Sequence, residues 1–506
     1  MPHAGGGTTD FDPENVPSIG TLLDCCQGLI TVDAEASIVR LIHYTVQEYL
    51  CSQPGLFSKP HSILAETCLT YLNSRQIMNL APHSLPPPQN MPFLKYCAQY
   101  WGTHTNKDPS DNAMTLALEL LNQYEDHISA VSLLEQVLHP SLRWRITTSL
   151  FFSGLHCASF FGIVELVTKL MNGKGDVVNQ EDCTGRTPLG WASIGGHEEV
   201  VKLLLEGDNV HPDLPDVVGR TPLGWAALTG HEGVVRLLLE GENIDPNRPD
   251  GHGETPLGWA AIKGHEGVVK LLLERENVDP DRPGTYDRTP LGWGAQYGHE
   301  GVAKLLLARE AVDPNHADKD GNVPLTCAAI KGHERVAKLL LGYENVDPNR
   351  RNKNGLTPLG CAAINGHEAV VKLLLGREDI DPDFSRGGIG TPLSFAARLG
   401  HERIVQLLHA WKSVKTRGVK IPSAKTPGVE TQSAEIPAIE TPDVETLAVE
   451  TPGVEPLGVE LSGVETRGAG ARRESECDVW KKRLLFIAIV AVGAIVAVVA
   501  RRARNT

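Results

Sequence analysis

The sequence predicts a mainly α protein built as a solenoid of about eight helix–turn–helix units. A small winged-helix-like α+β module precedes the solenoid, and a disordered tether and one transmembrane helix follow it. Three observations predict this. Thr-Pro-Leu recurs at Thr187, Thr221, Thr255, Thr289, Thr357 and Thr391 in steps of 34 residues, with Val323-Pro324-Leu325 filling the one gap. Gly-His keeps the same step, at His197, His231, His265, His299, His333, His367 and His401. Beyond the repeats the composition changes twice, first to five-residue Pro/Gly/Glu units and then to an uncharged apolar run. A fixed period of about 20–50 residues marks stacked units that cannot bury a core alone.

In chain order, residues 1–18 are polar and Gly/Pro-rich and are predicted to be disordered. Residues 19–110 form the winged-helix-like module. In it, Leu29–Val32 and Ser37–Ile42 read as two strands around an acidic turn, and His43–Leu50 starts a helix. Residues 111–152, with Met114, Leu116, Leu118, Leu120 and Leu121, read as a helical connector that caps the stack.

Residues 153–411 hold the repeats. In one unit Thr255 is an N-cap and Pro256 sits at the first helical position, where its missing N–H costs nothing. The first helix ends at Gly264, and a second, from about Glu266 to Glu274, carries Val268, Val269 and Leu271–Leu273. An older copy begins at Leu155-His156-Cys157-Ala158, which makes eight units.

These words resemble the ankyrin-repeat signature, T-P-L-H-x-A followed by G-H and V-V-x-L-L. The resemblance implies a non-catalytic stack whose hairpin tips and first-helix ends meet a protein partner. Most units have Gly where the signature has His, at Gly190, Gly224, Gly258, Gly292 and Gly360, and only His156 keeps it. That puts in question the inter-repeat hydrogen bonds this His supplies. Trp191, Trp225, Trp259 and Trp293 take the place of a buried Leu, and are read as core that fills the space the His leaves. One His per repeat, roughly 10 Å apart, is too sparse to share a metal.

Carried over by position, the partner-binding candidates precede each Thr-Pro (Arg186, Arg220, Glu254, Arg288) or each Gly-His (Thr229, Lys263, Tyr297, Lys331, Asn365). Arg248, Tyr286 and Arg351 join them from the loops. The net charge of −15 and the lack of an RRM, KH or helix-turn-helix pattern argue against nucleic acid. No catalytic pair, cofactor motif, metal set or small-molecule substrate is expected.

The words LITVD, VRLIHYTVQEYL, AETCLTYLN and FLKYCAQYWGTH are similar to the segment that follows the NACHT domain in fungal NACHT–ankyrin proteins, which are NLR-like signalling NTPases. The resemblance would place His43 near a bound nucleotide. Yet no G-x-x-x-x-G-K-[ST] loop is present to cradle phosphates. The alternative function is therefore the sensor half of such an NTPase, its nucleotide-binding domain lost or missing from the gene model.

Residues 412–480 contain TPGVE-type units ending in Glu and read as an acidic spacer. Residues 481–506 read as a C-terminal tail anchor spanning Leu484 to Ala500, in contact with a lipid bilayer and leaving the body in the cytosol. The short span and basic tail lean toward the mitochondrial outer membrane or peroxisome. Ten scattered Cys without C-x-x-C suit free thiols, and Cys477 is a candidate for lipidation.

Overall fold

A computed structural model of the chain describes residues 30–33, 38–41, 59–80, 92–130, 133, 152–172, 177–207, 209–241, 243–382 and 390–416. Eight helix pairs run in sequence, from Gly154–Phe161 with Val164–Met171 to Pro392–Arg398 with Glu402–Thr416. They are numbered repeats 1 to 8 below. First helices pack side by side along one layer and second helices along the other, with a single apolar core running between them.

Repeat 4 shows why each unit folds as it does. Thr255 has an extended backbone, and its Oγ1 accepts the Gly258 N–H at 3.0 Å, capping the helix Pro256–Lys263. Gly264 ends that helix at φ 78, a left-handed conformation that a Cβ disfavours. The second helix, Glu266–Leu273, buries Val268, Val269 and Leu272 completely, each contributing roughly 2 kcal/mol. Val323 holds the same extended backbone in repeat 6 but has no side chain to cap with, a loss of about 1 kcal/mol. In the outer loop Asn247 ties repeat 4 to its predecessor. Its Nδ2 donates to the Asn277 carbonyl (2.6 Å), and its Oδ1 accepts from the Asp279 N–H (2.8 Å).

Two parts of the expected architecture are corrected. The first is the winged-helix-like module. An antiparallel hairpin pairs β1 (Ile30–Asp33) with β2 (Ile38–Leu41), but the helix expected from His43 lies outside the described residues. Between 59 and 126 the described elements are all helical: α1 (Pro60–Leu72), α2 (Arg75–Met78), α3 (Pro92–Lys107), α4 (Asp111–Leu121) and a short 3-10 turn. Their apolar side chains recur at helical spacing, as in Leu64, Cys68, Leu69 and Leu72, so they pack as a bundle. The bundle continues directly into the solenoid, with Trp101 edge-on to Phe161 of repeat 1.

The second correction concerns the transmembrane helix. No helix among the described residues is long and apolar enough to cross a membrane. The longest, α3, has 16 residues and carries Lys95, His104 and Lys107. The stretch 484–500 and Cys477 lie outside the described residues, as does the spacer beyond 416. Among the described residues the architecture is a mainly helical solenoid with no membrane-spanning helix.

Candidate protein-recognition face

A polar ladder runs through the first-helix layer. Asp216 Oδ1 accepts the N–H groups of Val218 and Arg220 (both 3.0 Å), closing the hairpin turn. Its Oδ2 accepts Trp225 Nε1 of the same repeat (3.0 Å) and Arg186 Nε of the preceding one (3.2 Å). The pattern repeats at Asp250, which takes Trp259 Nε1 at 2.9 Å and Arg220 Nη2 at 2.6 Å. Each guanidinium also lies between two indoles: Arg220 sits 4.5 Å from the Trp225 ring centre and 4.3 Å from that of Trp259. Cation, carboxylate and aromatic face thus pair with one another out of water, with Arg186 Nη1 left without a hydrogen-bond partner.

This arrangement explains two of the glycines, Gly224 and Gly292. At Gly224 an added Cβ would fall 2.9 Å from Arg220 Cγ, and at Gly292 2.7 Å from Arg288 Cγ. The arginine stem runs over the space that a His in T-P-L-H would fill. His156, which keeps the family residue, places Nε2 near the carbonyls of Gln180 (2.9 Å) and Arg186 (3.1 Å). The Arg–Asp–Trp ladder makes the inter-repeat contacts across repeats 2 to 4, where that His is missing.

At repeats 4 and 5 the ladder changes hands. Glu254 stands where the neighbouring repeats have Arg, and Gly284 stands where they have Asp. The Glu254 carboxylate reaches into the next repeat, and its Oε2 accepts Trp293 Nε1 (2.8 Å) and the Thr285 N–H (3.2 Å). It supplies the missing Asp from the other side. With no cation paired to it, burial raises its pKa to about 7. Further along, Arg288 pairs with Asp318, and then Asn352 Nδ2 donates to Asn322 Oδ1 at 3.0 Å. Where Trp gives way to Cys361, the charges give way to amides.

The Gly-His histidines form a second row. His265 Nε2 donates to the Leu228 carbonyl (3.1 Å), and His231, His299, His333, His367 and His401 repeat the contact at 2.9–3.1 Å. A carbonyl acceptor fixes the N–H on Nε2, so these rings brace the stack.

Four sequence candidates therefore point inward. Arg186, Arg220, Glu254 and Arg288 are buried in the ladder and are taken up by contacts within the chain. Thr229 is half-buried, its hydroxyl donating to the Trp225 carbonyl (2.8 Å). Arg248 is committed to Asp213, Nη1 to Oδ2 at 3.1 Å. Lys263, Lys331, Asn365 and Arg351 are exposed, as are Tyr297 (50 %) and Tyr286 (58 %). Tyr297 stacks on Trp293, ring centres 6.0 Å apart, so the buried ladder supports it. Val217, Lys319 and Lys353 at the hairpin tips extend the same exposed strip.

Residues 155–250, 242–318 and 310–386 match the family model for ankyrin repeats, in three copies. Ankyrin repeats are present. Such repeats are in general non-catalytic protein-interaction scaffolds. The match stops short of repeat 8 and of the helical bundle, so the NACHT-like words lie outside it. No curated protein matches the chain.

The sequence reading missed a polar cluster in the bundle. Tyr96 OH lies 2.9 Å from His104 Nε2, and His104 Nδ1 lies 2.8 Å from His61 Nδ1. His104 is thus held between the phenol and the second imidazole. Burial lowers the His104 pKa to about 4. Residues 43 positions apart gave no local signal for this contact.

Proposed function

We propose that this chain is a non-catalytic scaffold that binds another protein through the face of first helices and hairpin tips. One observation carries the reading. Lys263, Lys319, Lys331 and Lys353 are exposed there beside Tyr286, Tyr297 and Val217, on a base that the ladder makes rigid. Exposed aromatic rings held from behind anchor an interface at low entropic cost. A standard interface of about 1,600 Å² fits on a stack of this length. The second-helix face differs in sequence, because a Glu stands four residues before a cation in each of repeats 2 to 7, and in repeat 7 Lys372 Nζ contacts Glu368 Oε1 at 2.6 Å.

The test is co-precipitation by the whole chain, comparing Lys263→Glu/Lys331→Glu/Tyr297→Ala with the opposite-face control Lys202→Glu/Lys304→Glu/Lys338→Glu. Partner capture should fall at least about tenfold for the first variant, equivalent to about 1.4 kcal/mol. Equal capture by both variants would refute the chosen face.

A further inference from the structure

The inner strip of lysines has no counter-charge of its own. In repeats 2 to 7 the cation at the fifth position of the second helix, from Lys202 to Lys372, has a Glu four residues before it, and repeat 6 adds Arg335, which has Lys331 there. At the same offset Lys263 has Trp259 and Lys331 has Cys327, and among the described residues neither forms an ion pair. Lys319 and Lys353 are likewise unpaired, and the only exposed carboxylates close to them in sequence at the tips are Asp287 and Asp320. A row of exposed cations on the same strip as Tyr286, Tyr297 and Val217 fits an extended segment that alternates small apolar residues with carboxylates.

This chain carries such a segment. Residues 426–465 contain Glu at every fifth position from Glu430 to Glu465, together with Asp443 and no Lys or Arg. Each Glu follows a small or branched apolar residue, as in Val429-Glu430, Ile439-Glu440 and Val449-Glu450. The segment thus holds nine of the acidic charges in a chain of net charge −15. Prolines stand at 427, 437, 442, 452 and 456, and proline removes a backbone donor and disfavours helix and sheet interiors.

Reach is sufficient. The last helix of repeat 8 runs to Thr416, and Glu430 lies 14 residue steps further on. Fully extended, they cover about 46 Å, whereas repeats 8 and 4 lie roughly 40 Å apart at helix-packing spacings near 10 Å. A tethered segment of this length meets the face at an effective concentration of about millimolar, so weak contacts suffice.

We infer that residues 426–465 of this chain dock intramolecularly on the inner face as an acidic pseudo-ligand that an incoming partner must displace. The inference rests on the inner face being the recognition surface.

Zero-length carbodiimide cross-linking of the whole chain tests it, because an amide forms only where a carboxylate touches an amine. Links from Glu430–Glu465 to Lys263, Lys319, Lys331 and Lys353 are expected. They should outnumber links to Lys202, Lys304, Lys338 and Lys372, and fall at least about tenfold in 1 M salt, where the Debye length is about 3 Å. Hydroxyl-radical footprinting gives a second readout: Tyr286 and Tyr297 should become about threefold more reactive when the eight Glu are changed to Gln. Links to the outer-face lysines alone, links confined to covalent dimers, or unchanged tyrosine reactivity would overturn the inference. If tail links are absent while partner capture still depends on Lys263 and Lys331, the docked tail falls and the surface reading stands. If tail links form while capture ignores those lysines, the surface reading falls and the tail contact stands.

Discussion

Arg220 of repeat 3 and Asp250 of repeat 4 form an ion pair with Nη2 and Oδ2 2.6 Å apart and both side chains at least nine-tenths buried. Neither residue could be buried alone. Asp250 also holds Trp259 Nε1 and the two hairpin N–H groups of His252 and Glu254, and Arg220 lies over the Trp259 ring, so the pair ties one repeat to the hairpin and first helix of the next. Removing one partner of a buried pair strands the other, at a cost of about 3–5 kcal/mol. Arg220→Ala should therefore lower unfolding free energy by that amount in denaturant titrations. Arg220→Lys should recover little, since an ammonium neither stacks flat between indoles nor bonds through two nitrogens.

The glycines of the first helices give opposite predictions at equivalent positions. Gly→Ala in a helix ordinarily stabilises by up to about 1 kcal/mol. At Gly190 a Cβ would meet nothing closer than 3.8 Å, and at Gly360 nothing closer than 3.6 Å, so both Ala variants should match or exceed the parent in stability. At Gly224 and Gly292 the Cβ would press on the Cγ of an arginine pinned at its far end, so these Ala variants should lose about 1–3 kcal/mol. Four thermal melts decide the matter, and equal shifts at all four sites would remove the arginine stems as the reason for Gly.

Much of this stack is legible in the sequence, because period, cap and breaker residues act locally. Thr255, Pro256 and Gly264 fix a helix whatever its neighbours do. The ladder is not local: Arg220 and Asp250 are 30 residues apart, and only alignment of each unit on the next brings the two columns together. The clue was present in the paired exception, Glu254 with Gly284, where both columns change at once. Reading the variable residue before Thr-Pro as surface failed because charge pointed outward on composition alone, whereas a partner one repeat away let it turn inward. Tyr297 and Lys263 were legible as surface because helix periodicity faces them away from the core.

Buried without a cation, Glu254 should make stability depend on pH. Its folded pKa of about 7 lies above the usual value of 4.5, so the folded state binds the proton more tightly. Stability is then greatest below about 4.5 and declines as pH rises through 7, by on the order of 1–3 kcal/mol from this group. Glu254→Gln keeps a carbonyl for Trp293 Nε1 and Thr285 N–H and removes the charge. The variant should be more stable than the parent at pH 8 and no more stable at pH 5. A constant difference across that range, measured by denaturant midpoints, would mean that Glu254 is not the titrating group.

The helical bundle should respond to acid in the opposite sense. His104 and His127 are both buried with pKa values lowered to about 4, and desolvation is the first cause in each. His127 Nδ1 accepts the Ser129 N–H at 3.0 Å, His104 is bonded to Tyr96 OH and His61 Nδ1, and burial favours the neutral form of each ring. A folded pKa below the unfolded value of 6.5 means that the unfolded chain binds protons first. The bundle's stability is then complete above pH 6.5 and is lost as pH falls toward 4, by on the order of 2–3 kcal/mol per ring. Hydrogen exchange should show residues 60–121 opening at pH 4.5 while repeats 3 to 6, whose Glu254 gains protection in the same window, stay closed. His104→Gln should flatten the acid response of the bundle and leave that of the repeats unchanged. If bundle and repeats open together at pH 4.5 in the parent, the two segments unfold as one unit and the His104 pair does not set the acid limit.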